Sequence, residues 1–356
     1  MTQPTYQGGA VQGPGSGKWH GGLWFERFFN RYTDASFSDV GSEGKKSFLS
    51  GFSKLHGDQH SLDLFSKRQT KLVNALKGDI RVYRSDWRWV TGMGLPHPVE
   101  NGISWHTTLG VPFLPGSAVK GLVRAALTAL EKPTDFISRV LGPLPDASSG
   151  DAGLLMFFDA VPTEMAQLVV DVMTPHAGDW YKNPTVAPAD WHAPNPVPFL
   201  TVAPCSLLFS IAPHPRSKIS EEEMTQVWEA LDWGLAYLGA GAKSSVGYGF
   251  MTLDNKATEG RLDDVREQAA EAEFLQLSEE QQALSLLEQQ FTITGQLQAG
   301  SELAKQLNHY CQQADNWPSD ARKQLADLTE LFYQKTSWGP TKKKKDRKAV
   351  IARLRT

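Results

Sequence analysis

Residues 102–127 read GISWHTTLGVPFLPGSAVKGLVRAAL, and this stretch changes character at its middle. Glycine and proline interrupt the first half, which predicts a long loop. After Ser117 the apolar residues recur at intervals of three and four, as Val119, Leu122, Val123, Ala126, Leu127 and Leu130. This spacing predicts an amphipathic helix with one buried stripe, and Ser117 suits its N-cap position.

The start of this helix is a candidate phosphate-binding site. Backbone N–H groups in a first helical turn lack intrahelical acceptors, and the helix dipole favours anions there. Gly116 and Ser117 lie at this start, and Lys120 and Arg124 follow four residues apart on one face. An ordinary capped helix with two solvated cations is the alternative, and the pattern alone leaves both interpretations open.

A second candidate segment, GAGAKSSVGYG, covers residues 239–249. Its glycines let the backbone approach a ligand closely, and Lys243, Ser244 and Ser245 add hydrogen-bond donors. The segment is not a Walker A loop, because Ala242 precedes the lysine and because it lies between a helix and a strand. The sequence therefore argues against ATP or GTP chemistry.

The elements around these two segments predict an α+β fold. Aromatic and apolar content predicts strands at 81–90, 154–161, 199–212 and 246–253, and periodicity predicts a second helix at 221–238. The resulting order is strand, helix, two or more strands, helix, strand. This is the split βαβ pattern of a ferredoxin-like (RRM-like) domain.

The composition predicts four regions along the chain. These are a flexible arm at 1–18, a ferredoxin-like domain with insertions and an N-terminal elaboration at 19–258, a helical appendage at 259–341 and a basic tail at 342–356. The aromatic segment at 19–29 is expected to pack into the core, with a partner-docking surface as the alternative. The tail is expected to be a solvated, disordered charge run, with a nonspecific grip on RNA as the alternative.

Charge and composition restrict the possible partners. The chain has a formal net charge of −3, but eight Lys or Arg and one Asp give residues 342–356 a charge of +7, which leaves −10 for the rest. Such a body cannot attract nucleic acid through a general positive field. Two distant cysteines, no signal-peptide pattern and no long apolar stretch predict a soluble, cytoplasmic protein without disulfides.

The two segments together resemble the signatures of the repeat-associated mysterious proteins (RAMP), the Cas7-like superfamily. GVPFLPGSAVKG is similar to the motif that opens the first helix of that fold, and GAGAKSSVGYGF to its glycine-rich loop. Within the superfamily, SWHTTLGVPFLPGSAVKG resembles the sixth-subunit family of the type III-B CRISPR (Cmr) complexes. The resemblance covers about residues 80–255, and the helical appendage lies outside it.

The resemblance implies an RNA-binding subunit of a ribonucleoprotein. Gly116, Ser117, Lys120 and Arg124 would then face the RNA from one side, Lys243, Ser244 and Ser245 would face it from the other, and Trp105 and His106 would lie nearby, with Trp105 stacked on a base. The implied partners are the 3′ region of the crRNA, the Cas7-like backbone and neighbouring Cmr subunits, and target RNA indirectly. No membrane, metal or cofactor is expected.

Catalysis is the main alternative function. His106 precedes the first helix, and some relatives that process guide RNA use a loop histidine. A metal-independent ribonuclease also needs a second positioned group, for which Lys120 or Lys243 is available on paper. A lone loop histidine is more often a hydrogen-bonding residue, so the sequence favours a non-catalytic subunit. A protein-only adaptor is the third possibility, motivated by the acidic body and the helical appendage.

Overall fold

The computed structural model describes residues 19–34, 39–143, 152–189, 191, 194–293, 301–336 and 341–356. The predicted arm at 1–18 lies outside the described residues. The chain divides into two compact units, Met1–Val265 and Arg266–Thr356. Every helix in the described part of the chain is too short or too polar to cross a lipid bilayer.

The described elements up to residue 276 are, in chain order, α1 (Gly21–Arg27), α2 (Ser42–Gly51), β1 (Leu55–His56), α3 (Gln59–Ala75), β2 (Asp79–Ser85), α4 (Gly116–Ala129), α5 (Thr134–Leu141), β3 (Leu155–Phe157), β4 (Val161–Pro162), β5 (Ala166–Met173), α6 (Gly178–Lys182), β6 (Val197–Val202), β7 (Ser206–Pro213), α7 (Glu221–Tyr237), a 3-10 helix (Ser244–Val246), β8 (Met251–Leu253) and α8 (Asn255–Gln276). Helices and antiparallel strands are thus mixed along the first unit, as expected for the predicted α+β class.

The central sheet has the strand order β3-β7-β2-β8, with β4 also paired to β7, and every pairing is antiparallel. β7 is buried along almost its whole length, which suits its position between β2 on one side and β3 and β4 on the other. Helices α4 and α7 connect these strands in the order that the sequence predicts. The sheet is consistent with the ferredoxin-like interpretation.

Helices α4 and α7 pack closely because a glycine lies at their contact. A Cβ added to Gly234 would lie 3.2 Å from Leu122 Cγ and 3.3 Å from Ala126 Cβ. Ser220 and Glu223 form a reciprocal capping box that fixes the start of α7. The cap and the small contact residue together set the position of α4, whose first turn carries the predicted motif.

A second, three-stranded sheet with the order β1-β5-β6 was not predicted from the sequence. The prediction of one strand at 199–212 is corrected here. The chain leaves the β conformation around Pro204, so that β6 pairs with β5 and β7 pairs with β2 in the other sheet. A proline cannot donate a ladder hydrogen bond, which explains why the chain changes sheets at this point.

The aromatic N-terminal segment packs into the core of the first unit, as expected. Phe25 and Phe29 are buried, and they contact Phe48 with ring centroids 5.8 and 4.7 Å away. His97 stacks on Phe25 at 4.1 Å and lies 2.7 Å from its carbonyl oxygen through Nε2. These contacts tie α1 and α2 to the loop that precedes α4.

The second unit contains α9 (Glu279–Ile293), α10 (Glu302–Gln313), a short 3-10 helix (Ala314–Asn316), α11 (Ser319–Lys335) and α12 (Thr341–Arg355). The prediction that residues 342–356 are a disordered tail is corrected, because they form α12. Ile351 and Leu354 are buried in the core of this unit, and Arg353 donates to Cys311 O at 2.6 Å. A buried apolar pair within a basic sequence is what orders this helix.

Candidate nucleic-acid interface

The two segments that the sequence analysis singled out meet at one cleft of about 710 Å³. One wall is the loop at 91–94 together with Ser104, and the second is the outer face of α4. The third wall is the glycine-rich segment, through residues 238–242 and Ser244. The cleft is open, and most of its lining residues are small, so an extended chain can approach the protein backbone closely.

Backbone hydrogen bonds hold the glycine-rich segment, one to the chain that follows β2 and one across the segment itself. Ala242 N donates to Val90 O at 2.8 Å, and Ala240 N donates to Gly249 O at 2.8 Å. Gly241 has φ +89° and a Cβ there would lie 2.1 Å from Val90 O, while Gly249 has φ +80° and a Cβ would lie 1.9 Å from Ala240 O. Only glycine fits these two positions, which explains the composition of the segment.

The three predicted donors of this segment have different positions. Lys243 adopts the left-handed conformation with φ 60° at the start of the 3-10 helix. Its Nζ lies 5.5 Å from the Phe199 ring centroid and 3.7 Å from Met173 Sδ, and it is not among the cleft-lining residues. Ser244 lines the cleft, and Ser245 is exposed beside it.

The α4 side of the cleft is formed by Ala118, Gly121, Leu122 and Ala125. These residues share one helical face by their spacing of three and four. Lys120 and Arg124 share a different face. At about 100° per residue, Lys120 lies about 200° around the helix axis from Ala118, and Arg124 lies about 200° from Leu122. Neither cation is among the lining residues of the cleft, and their contact with an RNA strand stays a prediction.

The helix start is also different from the predicted phosphate site. Pro115, rather than Ser117, is the N-cap residue, and Ser117 is exposed in the first turn. Gly116 is buried, and its N–H donates to the Asp159 carboxylate at 2.7 Å. A carboxylate of the protein itself therefore satisfies the first amide of α4, in the way that a phosphate was expected to do.

Arg124 has hydrogen-bond acceptors within the protein, and Lys120 is partly buried beside it. Arg124 Nη2 donates to Leu141 O at 3.3 Å and Gly142 O at 2.6 Å, which caps the carboxyl end of α5. Burial, and then the charge of Arg124, lower the pKa of Lys120. Arg124 thus stabilises the end of α5, whereas burial and the like charge of Arg124 disfavour the protonated form of Lys120.

Trp105 is not an exposed stacking platform. It is 4% exposed and packs against His56 and Phe25, with ring centroids 5.3 and 6.0 Å away. A Cβ added to Gly22 would lie 2.6 Å from the Trp105 side chain, so α1 covers the indole directly. The prediction that Trp105 stacks on a base is wrong for this reason.

His106 serves the structure of the loop before α4. Its Nδ1 lies 3.4 Å from Thr108 N, 3.2 Å from Thr108 Oγ1 and 3.4 Å from Leu109 N, all within a short turn. Its ring is set edge-on to Phe65 and Phe113, at 5.1 and 5.5 Å. Burial is the largest influence on its pKa, which is lowered although the charge of Asp159 acts in the opposite direction. A half-buried imidazole held in this way resembles a hydrogen-bonding loop residue more than an acid or base aimed at a ligand.

Two features of the cleft were not predicted from the sequence. The loop at 91–94 forms a wall, and it is held by Gly92, whose φ is +67° and whose Cβ would lie 2.3 Å from Ser104 N. The small residues of α4 at 118, 121 and 125 were visible as a repeat at helical spacing, but they were not recognised as a face for close approach. Within the described ranges, no group of three His, Cys, Asp or Glu side chains has the arrangement of a metal site.

Comparisons with known proteins agree with the signatures noted above. The family model of the RAMP superfamily matches residues 88–252, which include all three walls of the cleft. The chain is 26% identical over 254 residues to the CRISPR system Cmr subunit Cmr6 of Pyrococcus furiosus, covering 54% of this chain and 73% of that protein.

Two solved structures are also similar. A chain of the type III-B Cmr-beta complex bound to cognate target RNA, solved by cryo-EM, has 26% identity and a TM-score of 0.48, covering 59% of this chain and 71% of that one. The crystal structure of Cmr6 from Pyrococcus furiosus has 22% identity and a TM-score of 0.33, covering 50% of this chain and 97% of that one. The match to the RAMP superfamily thus covers residues 88–252, and both sequence signatures lie within the matched range.

Proposed function

We propose that this chain is a non-catalytic guide-RNA-binding subunit of a type III-B CRISPR (Cmr) RNA-targeting effector complex. In this proposal it holds the 3′ region of the crRNA and caps the backbone of Cas7-like subunits. The observation that carries the proposal is the open cleft between α4 and the glycine-rich segment, which lies within the RAMP domain. The similarity to a Cmr6 protein supports the assignment to a Cmr complex.

The chemistry of the cleft suits a sugar-phosphate strand held by close contact. Its walls offer the hydroxyl groups of Ser104 and Ser244 and a glycine-rich backbone, and no Lys or Arg is among the lining residues that the structure describes. Hydroxyl and amide donors can contact phosphate oxygens and 2′-hydroxyl groups without fixed charge. This agrees with the charge of −10 outside the basic C-terminal stretch, and it implies a shallow dependence of RNA affinity on salt.

A charge placed in the cleft tests this function. Gly121 lies on the α4 wall, and a Cβ added there meets nothing within 4 Å, so Gly121→Glu adds a carboxylate without a steric clash. Gly260 in α8 is equally open, is not among the residues of the cleft, and provides the matched control Gly260→Glu. Repulsion between a carboxylate and the RNA backbone should weaken binding by about tenfold or more.

The measurement is crosslinking and nuclease protection of the crRNA 3′ region in the complex reconstituted with each variant. Gly121→Glu should lose contacts to the 3′ region, while Gly260→Glu should match the wild-type chain. Equal protection in all three complexes would show that the cleft does not hold the guide. Assembly of the wild-type complex with no crosslink from this chain to RNA would instead favour the protein-only adaptor.

The non-catalytic part of the proposal is supported by the position of His106. Its Nδ1 lies among donors of its own turn, and its ring lies between two phenylalanines. Precursor guide RNA incubated with the isolated chain in the presence of a chelator should remain intact. Cleavage that is lost in His106→Ala would replace this proposal by a metal-independent endoribonuclease.

A further inference from the structure

An exposed tryptophan lies at the end of β2, beside the glycine-rich segment. The chain bends at Asp86 and Trp87 directly after β2, and this bend separates two tryptophans with opposite surroundings. Trp89 is fully buried, whereas Trp87 is 46% exposed. An indole held open to solvent at a bend is the kind of surface that a planar ligand can cover.

Trp87 is one end of a row of three rings, which we call the aromatic ledge (Trp87, Tyr248 and Phe199). The ring centroids of Trp87 and Tyr248 are 4.9 Å apart, and those of Tyr248 and Phe199 are 6.2 Å apart. Tyr248 belongs to the glycine-rich segment, and Phe199 lies on β6. The ledge therefore connects the bend after β2 to the loop that forms one wall of the cleft.

Hydrogen bonds fix the ledge before any ligand arrives. Asp86 N donates to Phe250 O at 2.9 Å, and Gly249 N donates to Arg88 O at 3.0 Å, so the backbone is held on both sides of Trp87. The Tyr248 hydroxyl donates to Asp171 Oδ2 at 2.8 Å. Burial and this hydrogen bond raise the pKa of Tyr248 to about 12, so the phenol stays a donor at neutral pH. A rigid ring loses little conformational entropy when a ligand stacks on it.

Two cations, Arg88 and Lys243, lie along the ledge, and they differ in their pairing with carboxylates of the described residues. Arg88 Cζ lies 5.5 Å from the Trp87 ring, but its Nη1 donates to the Asp171 carboxylate at 2.6 Å. Lys243 Nζ lies 5.5 Å from the Phe199 ring, and no carboxylate within ion-pair distance of it is found among the described residues. Arg88 is thus neutralised in place, while Lys243 keeps a charge that an anionic ligand can use.

We propose that the aromatic ledge binds a nucleobase of single-stranded RNA, which stacks on the open side of Trp87 while the adjoining phosphate lies toward Lys243. This rests on the proposed function and deepens it, because it places a base beside the cleft that holds the strand. A base stacked on an indole is bound without regard to its sequence, since every nucleobase has a π face. A guide-binding subunit needs this tolerance, because its guides differ in sequence.

The test compares matched tryptophan substitutions in the full chain. Trp87→Ala removes the ledge ring, and Trp87→Phe keeps a smaller one. Trp180→Ala is the control, because Trp180 is 39% exposed and also contacts a neighbouring ring, that of Tyr181 at 5.1 Å. Binding of a short oligoadenylate and of an abasic ribose-phosphate oligomer of equal length is measured for each variant.

Because Trp87→Ala removes the stacking of one base, this variant should bind oligoadenylate about 5- to 100-fold more weakly than the wild-type chain. Trp87→Phe should recover part of this loss, Trp180→Ala should match the wild-type chain, and the abasic oligomer should bind the Trp87→Ala and wild-type chains equally. Equal oligoadenylate affinity for Trp87→Ala and wild type would overturn the proposal. An equal loss on the abasic oligomer, or in Trp180→Ala, would overturn it too, because neither depends on a base at Trp87.

The two proposals fail in different ways. If the wild-type chain binds neither oligomer and contacts no guide within the complex, the RNA-binding function fails and the ledge with it. If the wild-type chain binds oligoadenylate and Gly121→Glu weakens it, while Trp87→Ala does not, only the ledge proposal fails. If Trp87→Ala weakens assembly of the complex without changing RNA affinity, Trp87 contacts another protein. That outcome would overturn the ledge proposal.

Discussion

Acidification should destabilise the first unit through a buried histidine beneath α1. His56 is 4% exposed, stacks on Phe52 at 5.9 Å and is set edge-on to Trp105 at 5.3 Å. Its Nε2 lies 2.9 Å from Phe52 O. Burial lowers the pKa of His56 to about 4, against an opposing effect of the Phe52 hydrogen bond. The folded protein therefore strongly prefers the neutral ring.

The sign and size of the effect follow from the two pKa values. The unfolded chain binds a proton at His56 below about pH 6.5 and the folded chain only below about pH 4, so the unfolded state holds more protons between these values. The stabilisation is complete above pH 6.5 and decreases as the pH falls toward 4. The full difference corresponds to about 3 kcal/mol, and about 2 kcal/mol of it should be lost by about pH 5.

The assay is hydrogen exchange of the most protected amides of β7 and α4, measured at about pH 7 and about pH 5 with exchange rates corrected for pH. His56→Gln keeps an N–H donor for Phe52 O but does not titrate. Between these pH values its free energy of unfolding should therefore fall by about 2 kcal/mol less than that of the wild-type chain. His60→Gln, at an exposed position in α3, should behave as the wild-type chain. An unchanged pH dependence in His56→Gln would refute the argument. His97 also has a pKa lowered by burial, and it should leave a residual dependence of the same sign.

Three further predictions concern stability and use urea unfolding or hydrogen exchange. Gly121→Ala should raise the free energy of unfolding by about 1 kcal/mol through helix propensity, whereas Gly116→Ala in the same helix should lower it, because its Cβ would lie 2.2 Å from a backbone carbonyl oxygen. Equal urea midpoints for the two variants would contradict this contrast. Arg124→Ala should lower stability by about 1–3 kcal/mol and speed exchange in α5, whose terminal carbonyls lose their donor. Replacing the exposed lysines at 343–345 by glutamine should slow exchange in α12 when no RNA is present, because cations in the first turns oppose the helix dipole; faster exchange would show that these lysines stabilise the helix.

Periodicity predicted the helices well, because their buried stripes depend on local spacing. The predicted helices at 117 and 221–238 appear as α4 and α7 with small shifts at their ends. The second sheet could not be predicted in this way. Its strands β5 and β6 are separated by a long connection, and their pairing is a tertiary choice that the pattern of 199–212 does not record.

The candidate site was predicted at the level of segments but not of side chains. Glycines that need a positive φ or a close approach mark a backbone position directly, so both segments were found where the cleft is. The roles of the charged residues depended on neighbours distant in sequence. Arg124 donates to a carbonyl at the end of α5, and the first amide of α4 donates to Asp159, 43 residues away. No local pattern identifies such partners.

These internal partners limit the positive field that the first unit presents to a ligand. A cation that caps a helix or pairs with a carboxylate, as Arg124 and Arg88 do, contributes little field to a ligand, and the cleft itself is lined by small and hydroxyl-bearing residues. Recognition that relies on backbone approach and one stacked ring then depends on shape rather than on net charge. Adding one methyl group to the glycine-rich wall should then disturb the cleft more than removing a lysine from α4. Gly241→Ala, whose Cβ would lie 2.1 Å from Val90 O, should displace the cleft wall more than Lys120→Ala changes it.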